Sequence, residues 1–440
     1  TTEIYTLSLH DALPILLFLA VTSVIYLAAA IYAVGYLRRE GREAREHYTE
    51  GFLFFNAPEA TFTGCLLLFL GAMTLVIAAQ HFGLMWVAVE GTTLASAPLI
   101  HFHRHHRSLE AAWKYLVICS VGIAIALLGN FFLVVASAAV DDRLSGLTVA
   151  TLCAHAGALD PGWLRAAFLL LLVGYGTKMG LAPLYTWLPD AHSEAPSVVS
   201  ALLSGALLNC AFLAILRLHG VCVAAGQAAF SANLLVVFGL VSMAFAAVFI
   251  VGQRDYKRLL AYSGVEHMGV AAVGAGLGGV AGFGALLHIA NHSLAKGLLF
   301  LVAGNVLAAY RTRSAAEVTG LLRRLPASGL LWFAGFLAIT GSPPFGLFVS
   351  EFTILRGALA AGRFVVAGVF LVLLLAVFAG MAMIVPAMAH GESGAGRVRE
   401  PWLAVVPPAC LGVAVLVLGL CVPQPLADAI RRALSALGLP

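Results

Sequence analysis

The sequence is dominated by unbroken apolar runs of about twenty residues, each long enough to cross the ~30 Å hydrocarbon core of a bilayer as a helix rising ~1.5 Å per residue. They lie at about 15–37, 60–79, 82–100, 113–139, 162–191, 197–219, 231–252, 259–278, 281–309, 329–356, 364–388 and 402–422, which makes about twelve transmembrane helices. Inside lipid every backbone N–H and C=O must be paired within the protein, so such a chain is either a helix bundle or a closed barrel. A barrel would show apolar and polar residues alternating over strands of ~10 residues, and these runs do not alternate. The fold class is an all-α membrane protein, a polytopic helix bundle. Of the 440 residues 61% are hydrophobic and 10% charged, against about 25% charged in a soluble domain, so this is not a water-soluble enzyme. The net charge of +4 is too small to suggest nucleic acid as a partner. Seven cysteines, none closer than eleven residues to the next, offer no CxxC pair, iron–sulfur ligand run or disulfide framework. We expect no cofactor and no redox chemistry in this chain.

Residues 1–15 (TTEIYTLSLHDALPI) lack a basic n-region and a cleavage site, and are expected to be a non-native or unstructured start rather than a signal peptide. An N-terminal helix and cytoplasmic loop (16–59) lead into the body, and 402–440 holds a last transmembrane helix and an amphipathic surface helix at 424–439. Two runs are broken, 162–191 by Gly180, Pro183 and Pro189, and 329–356 by Gly341, Pro343, Pro344 and Gly346. They stand five helices apart, so 60–219 and 231–388 read as two five-helix repeats, the second inverted because five is odd. Interrupted helices at corresponding places of inverted repeats point to an ion site, since irregular backbone at membrane depth is tolerated only where it lines a cavity. Sixteen Lys and Arg fall in loops on the side where the first helix ends and seven on the other, with Lys178 and Lys296 inside helices. The first side is therefore expected to be cytoplasmic and the C-terminus outside.

A charge at the centre of a membrane helix costs about 2.5–3.5 kcal/mol on insertion scales. Glu90 lies mid-helix in MWVAVEGTTLAS, Lys178 at the first break in VGYGTKMGLAPL, Glu266 and His267 in AYSGVEHMGV, and Glu351 after the second break in PPFGLFVSEF. His288, His292 and Lys296 recur every four residues, which keeps them on one helix face over ~12 Å of rise. A structural ion pair accounts for any one of these groups. The set is better explained as a relay, because imidazole, with an ordinary pKa near ~6.5, both takes and releases protons at cellular pH.

Three further patterns read as structural. GAGLGG (274–279) matches GxGxxG, but no strand precedes it and no acidic residue follows ~20 positions on, so helix packing explains it. His101, His103, His105 and His106 lie in a short basic loop without carboxylates or cysteines, and no metal site is expected there. Asp190, His192 and Glu194 follow the first break, where they are expected to cap it and contact a partner.

KMGLAPLYTWLPDAHSEAPSVVSALLSG resembles the hallmark stretch of the antiporter-like subunits of respiratory complex I and of multisubunit Na+/H+ antiporters, as do HIANHSLAKGLLFLVAGN and GSPPFGLFVSEFTIL. WVAVEGTTLASAPLI and LEAAWKYLVICSVGIAIALLGNFFL are most similar to the hydrogenase-4 component F type of membrane-bound hydrogenases and formate hydrogenlyases. The likeness covers residues 16–422. It implies fourteen helices, of which the first two are expected to be missing here. It also implies that Glu90 and Lys178 form a coupled input pair, that His288, His292 and Lys296 form the central relay, and that Glu351 is the terminal acid. Asn209 stands where many complex I members have a relay lysine, so it is expected to mark a gap in the charged axis, with Glu266 and His267 in secondary roles. The implied function is proton translocation in the plasma membrane of a prokaryote, beside other membrane subunits of a complex I-like or hydrogenase complex whose partners transfer the electrons. The alternative is a cation/proton antiporter subunit moving H+ or Na+ without a redox partner.

Overall fold

The computed structural model describes residues 9–40, 45–46, 53–138, 146–392 and 396–439. The first half of the chain comprises α1 (Leu9–Glu40), α2 (Glu59–Ala78), α3 (Phe82–Ile100), α4 (His106–Ala136), α5 (Val149–Ala154), α6 (Pro161–Met179), α7 (Trp187–Glu194), α8 (Ser197–Leu202) and α9 (Leu208–Ala224). A π-helical turn, Leu203–Leu207, joins α8 to α9 in one continuous span. The second half holds α10 (Ala228–Ile250), α11 (Tyr256–Leu277), α12 (Gly279–Tyr310), α13 (Leu321–Arg324), α14 (Pro326–Ile339), α15 (Gly346–Ala360), α16 (Phe364–Ala389), α17 (Trp402–Leu420) and α18 (Gln424–Ala436). Among the described residues nine helices are long and apolar enough to cross a membrane. The remaining expected spans are α11, which carries Lys257, Arg258 and Glu266, and the two broken pairs α6–α7 and α14–α15. Leu67, Leu68, Val248, Val365 and Leu375 face outward, as a lipid solvent permits.

The start differs from expectation. Residues 9–15 belong to α1, with Pro14 inside the helix. Residues 1–8 lie outside the described residues, as do Arg42 and Arg143 of the charge asymmetry. A miniature antiparallel sheet joins the end of α1 to the α3–α4 loop, in the order β1 (Arg45–Glu46), β2 (Leu53–Asn56), β3 (His103–Arg104). The amphipathic α18 lays Ala427, Ile430 and Ala433 inward and packs on α1 and α12.

Each repeat packs its broken helix on its own third helix through glycine. A Cβ on Gly174 of α6 would stand 2.6 Å from Ala126 Cβ and from Gly122 O of α4, and a Cβ on Gly357 of α15 would stand 2.6 Å from Ala281 of α12. Without a side chain in the way the backbones meet directly, and this sets the register of the break against its neighbour. The first break opens at Gly180 (φ 86°) and the second at Gly341 (φ 61°), a left-handed conformation that glycine adopts without steric penalty. Each break also contains one cis peptide bond, Ala182–Pro183 and Pro343–Pro344. The GAGLGG glycines divide their roles. Gly274 and Gly276 allow close packing, while Gly278 and Gly279, both at positive φ, make the α11–α12 turn.

Gly174→Val forces α4 and α6 apart and should destabilise the protein by about 1–3 kcal/mol or more, the range of overpacked interiors. Gly71→Ala, with nothing within 4 Å of its Cβ position, should be neutral. Thermal unfolding of both variants in detergent checks this.

Candidate functional site: two buried polar clusters

In the first repeat α3 presents Glu90 and Thr93 on one face, since residues three apart share a side of a helix. Lys178, the penultimate residue of α6, reaches them from the break and is fully buried. Its ammonium donates to Thr93 Oγ1 at 3.0 Å and to the Tyr115 hydroxyl at 2.9 Å. Thr93 in turn donates to Glu90 Oε2 at 3.2 Å. Glu90 and Lys178 are thus coupled through one hydroxyl and not by a direct ion pair. Tyr115 shares a 2.7 Å hydrogen bond with Ser96, and Ser96 donates to Thr92 O at 2.6 Å. The Lys178 ammonium also lies 4.7 Å from the centre of the Tyr115 ring and 5.8 Å from that of Trp187, close enough for cation–π attraction. Glu90 is only half-buried and accepts a second hydrogen bond, 3.1 Å, from exposed Ser120, so this cluster reaches the periphery of the bundle.

In the second repeat α11 and α12 bring their titratable faces together, and α15 closes the third side. His267 Nδ1 and His288 Nε2 are 3.1 Å apart, and His288 Nδ1 is 3.0 Å from Ser350 Oγ. His267 Nε2 stands 3.2 Å from Glu266 Oε2. Glu351 lies beside the two imidazoles, one ligand atom of each of His267, His288 and Glu351 falling within 4.8 Å of the others. A Cβ at Gly341 would overlap the Glu351 carboxylate, so the glycine that opens the second break also makes room for the acid. His292 is fully buried, its ring centre 5.2 Å from that of His267, with neither nitrogen bonded to protein among the described residues. Lys296 turns away from the histidines, donating to Leu260 O at 2.5 Å and to Ser263 Oγ.

Lys296 is bonded apart from the histidines, and Lys178 and the His267–His288–Glu351 group thus form two clusters, one on each repeat. Asn209 lies between them, donating to Gly205 O at 2.9 Å and to Ser293 Oγ at 2.7 Å, one residue from His292. His267, read from the sequence as secondary, is the junction of the second cluster. Thr93, Tyr115, Ser350 and Ser263 were not legible as site residues, since neutral hydroxyls in apolar runs carry no signal of their own. Thr93 could have been found one turn from Glu90 on the same face. His192 is buried with both nitrogens unbonded among the described residues, stacked 5.0 Å from Phe300.

The remaining patterns tie loops and helix ends together. His103 bonds Tyr36 (3.1 Å) and Asn56 (2.8 Å), and His105 caps α4 by accepting from Ser108 N at 3.1 Å. Asp190 pairs with Lys114 at 3.1 Å and with Arg258, while Glu194 pairs with Arg313 at 2.7 Å.

Thr93→Val keeps the side-chain shape but removes the link between Glu90 and Lys178, leaving a buried ammonium short of one acceptor. It should lower stability by about 1–3 kcal/mol, and Thr93→Ser should restore it. Thermal unfolding of the pair checks this.

Residues 79–378 match the family described as NADH:quinone oxidoreductase/Mrp antiporter membrane subunits. A hydrogenase-4 component F homolog of Methylacidiphilum infernorum is 43% identical over 290 residues, 66% of this chain and 61% of that protein. NADH-quinone oxidoreductase subunit N of Desulforudis audaxviator is 32% identical over 425 residues, covering 93% of this chain and 81% of that one. Several curated relatives are longer, and the chain spans about half to three-fifths of their length. In fold the chain is similar to one of the Mrp complex from Dietzia sp. DQ12-45-1b, with a TM-score of 0.83 at 21% identity over 97% of this chain and 84% of that one. With its paired broken helices and the buried polar residues beside them, the chain belongs to the antiporter-like membrane subunits of the complex I, hydrogenase and Mrp family.

Proposed function

We propose that this chain conducts protons across a prokaryotic plasma membrane as a non-redox subunit of a complex I-like, hydrogenase- or formate-linked assembly. One observation carries the reading. Within and beside the second cluster Ser204 Oγ, Asn209 Oδ1, both Glu266 oxygens, His267 Nε2, both His292 nitrogens and Glu351 Oε1 are buried without a hydrogen bond to protein among the described residues. Each such atom costs about 1–3 kcal/mol unless it is paired. Water is the partner that fits, and a row of waters between titratable side chains passes protons by exchanging hydrogen bonds. The π-helical turn carrying Ser204 and Gly205 supports this, since it frees backbone carbonyls beside Asn209. Asn209 carries no charge, but its amide can order a water between the repeats. In the first cluster Lys178 can pass a proton through Thr93 to Glu90, whose opening to the bundle edge suits coupling to a neighbouring subunit. Electron transfer in that neighbour would act by changing the charge balance at Glu90. The hydrogenase-4 and NADH-quinone oxidoreductase names of the relatives support a redox-linked complex.

The experiment is purification of the native complex with mass spectrometry, followed by proton uptake in reconstituted vesicles. Iron–sulfur or [NiFe] subunits alongside the chain agree with the proposal. Small antiporter subunits with Na+-dependent uptake would replace it by cation/proton exchange. Lys178→Ala and His292→Gln should each leave assembly intact and lower proton uptake by about 100-fold, the lower range for a positioned proton-transfer group. Uptake at the unaltered rate in both variants overturns the relay.

We also propose that the C-terminus lies outside, which the excess of Lys and Arg in loops on the opposite side supports. A protease site appended after α18 should be cut in intact spheroplasts and protected in inverted vesicles, and the opposite pattern reverses the orientation.

A further inference from the structure

We propose that His267, His288 and Glu351 form a buried binding site for a divalent transition-metal ion of the zinc class. Two imidazoles and one carboxylate are a ligand set that zinc takes with a fourth position left open. The spacing fits. Tetrahedral ligands at ~2.0–2.1 Å from zinc stand about 3.3 Å from one another, and His267 Nδ1 and His288 Nε2 are already 3.1 Å apart. The Glu351 oxygen completes the triangle within 4.8 Å, a separation that one rotamer adjustment of a carboxylate closes.

The outer contact of His288 is the one that a metal-bound histidine requires. A ligating imidazole offers one nitrogen to the metal and donates from the other to an acceptor, which fixes its tautomer. For His288 that acceptor is Ser350, 3.0 Å from Nδ1, whereas His267 Nε2, 3.2 Å from Glu266 Oε2, makes no hydrogen bond to protein among the described residues. His288 can therefore offer Nε2 to an ion while its outer N–H stays paired, and the Glu266 carboxylate stands close enough to His267 to take up the same role once a metal orients that ring. Glu351 Oε1 has no hydrogen bond to protein among the described residues and is available as a ligand. Glu351 is 7% exposed while both histidines are 1% or less, and it packs against the glycine of the second break, so an ion would arrive on its side. The three residues come from α11, α12 and α15, too far apart in the chain to form a metal-binding motif.

Metal binding here requires nothing of proton transport, and its test reads zinc directly. The full chain, purified in detergent and stripped with a chelator, is titrated with ZnCl2, and bound zinc is counted by mass spectrometry and characterised by X-ray absorption at the zinc edge. The expected result is one tightly held zinc with two nitrogen neighbours and oxygen for the rest. His288→Gln and Glu351→Gln should each abolish that zinc. Ser350→Ala, which removes no ligand and leaves the fold intact, should weaken binding by about tenfold or more. The surface histidines are controlled by a His103→Gln/His106→Gln variant, which should keep the zinc. No bound zinc in the unaltered chain, zinc retained at full affinity in Glu351→Gln and Ser350→Ala, or zinc lost only with the surface histidines would each overturn the site.

Discussion

Backbone that leaves a helix at membrane depth must find its hydrogen bonds inside the protein, and much else in this molecule follows from how that demand is met. At the first break Ala182 N donates to Ser242 Oγ of α10 at 2.9 Å, and the Trp187 indole donates to Thr177 O at 2.8 Å. At the second, Asn291 of α12 donates to Gly346 O at 3.0 Å. Each break is thereby tied to other parts of the bundle, and the glycine contacts of α4 with α6 and of α12 with α15 hold the adjoining helices without a gap. Lys178 and Glu351 lie where they do because the breaks do. Lys178 is two residues before Gly180, and Glu351 folds back over Gly341.

The two clusters solve the problem of buried charge differently. Around Lys178 the solution is a closed set of hydroxyl and aromatic partners, with Thr93 and Tyr115 accepting and the Tyr115 and Trp187 rings alongside. Around His267 the set is open, for Glu266, His292 and Glu351 retain buried atoms with no protein partner among the described residues. A closed network holds its geometry, whereas an open one must recruit something from outside the chain. Under the proposals above, water would meet that need around Glu266 and His292, and Glu351 is an open group shared with the metal site.

Much of the fold was legible because lipid imposes a one-dimensional rule. A run of ~20 apolar residues must span, so even the broken pairs and α11 are visible as runs despite their interruptions. The helical backbone of residues 9–15 was not legible, because LHDAL looks polar beside the run that follows. The small sheet was invisible, since strands of two to four residues have no periodicity to read. Glu90, Lys178 and the histidines stood out only because charge is expensive in that setting. Thr93 and Ser350 did not, because a Ser or Thr hydroxyl in a helix can satisfy itself on the preceding turn, and Tyr115 did not, because its ring passes as part of an apolar run.

The sequence by itself determined the membrane class, the approximate limits of the spans, the two breaks and the charges of Lys178, Glu266, Lys296 and Glu351 inside them, for each depends on local composition or on a steric property of Gly and Pro, whereas Arg217 and Lys257, counted with the loops, proved buried as well. Tertiary structure alone decided which charges meet. The step of four from His288 to Lys296 suggested a stripe along α12, yet His288 meets His267 of α11 and Ser350 of α15, while Lys296 turns to Leu260 and Ser263. Spacing along one helix fixes a face, but only the glycine contacts between helices set the rotation and depth at which that face is presented to its neighbours.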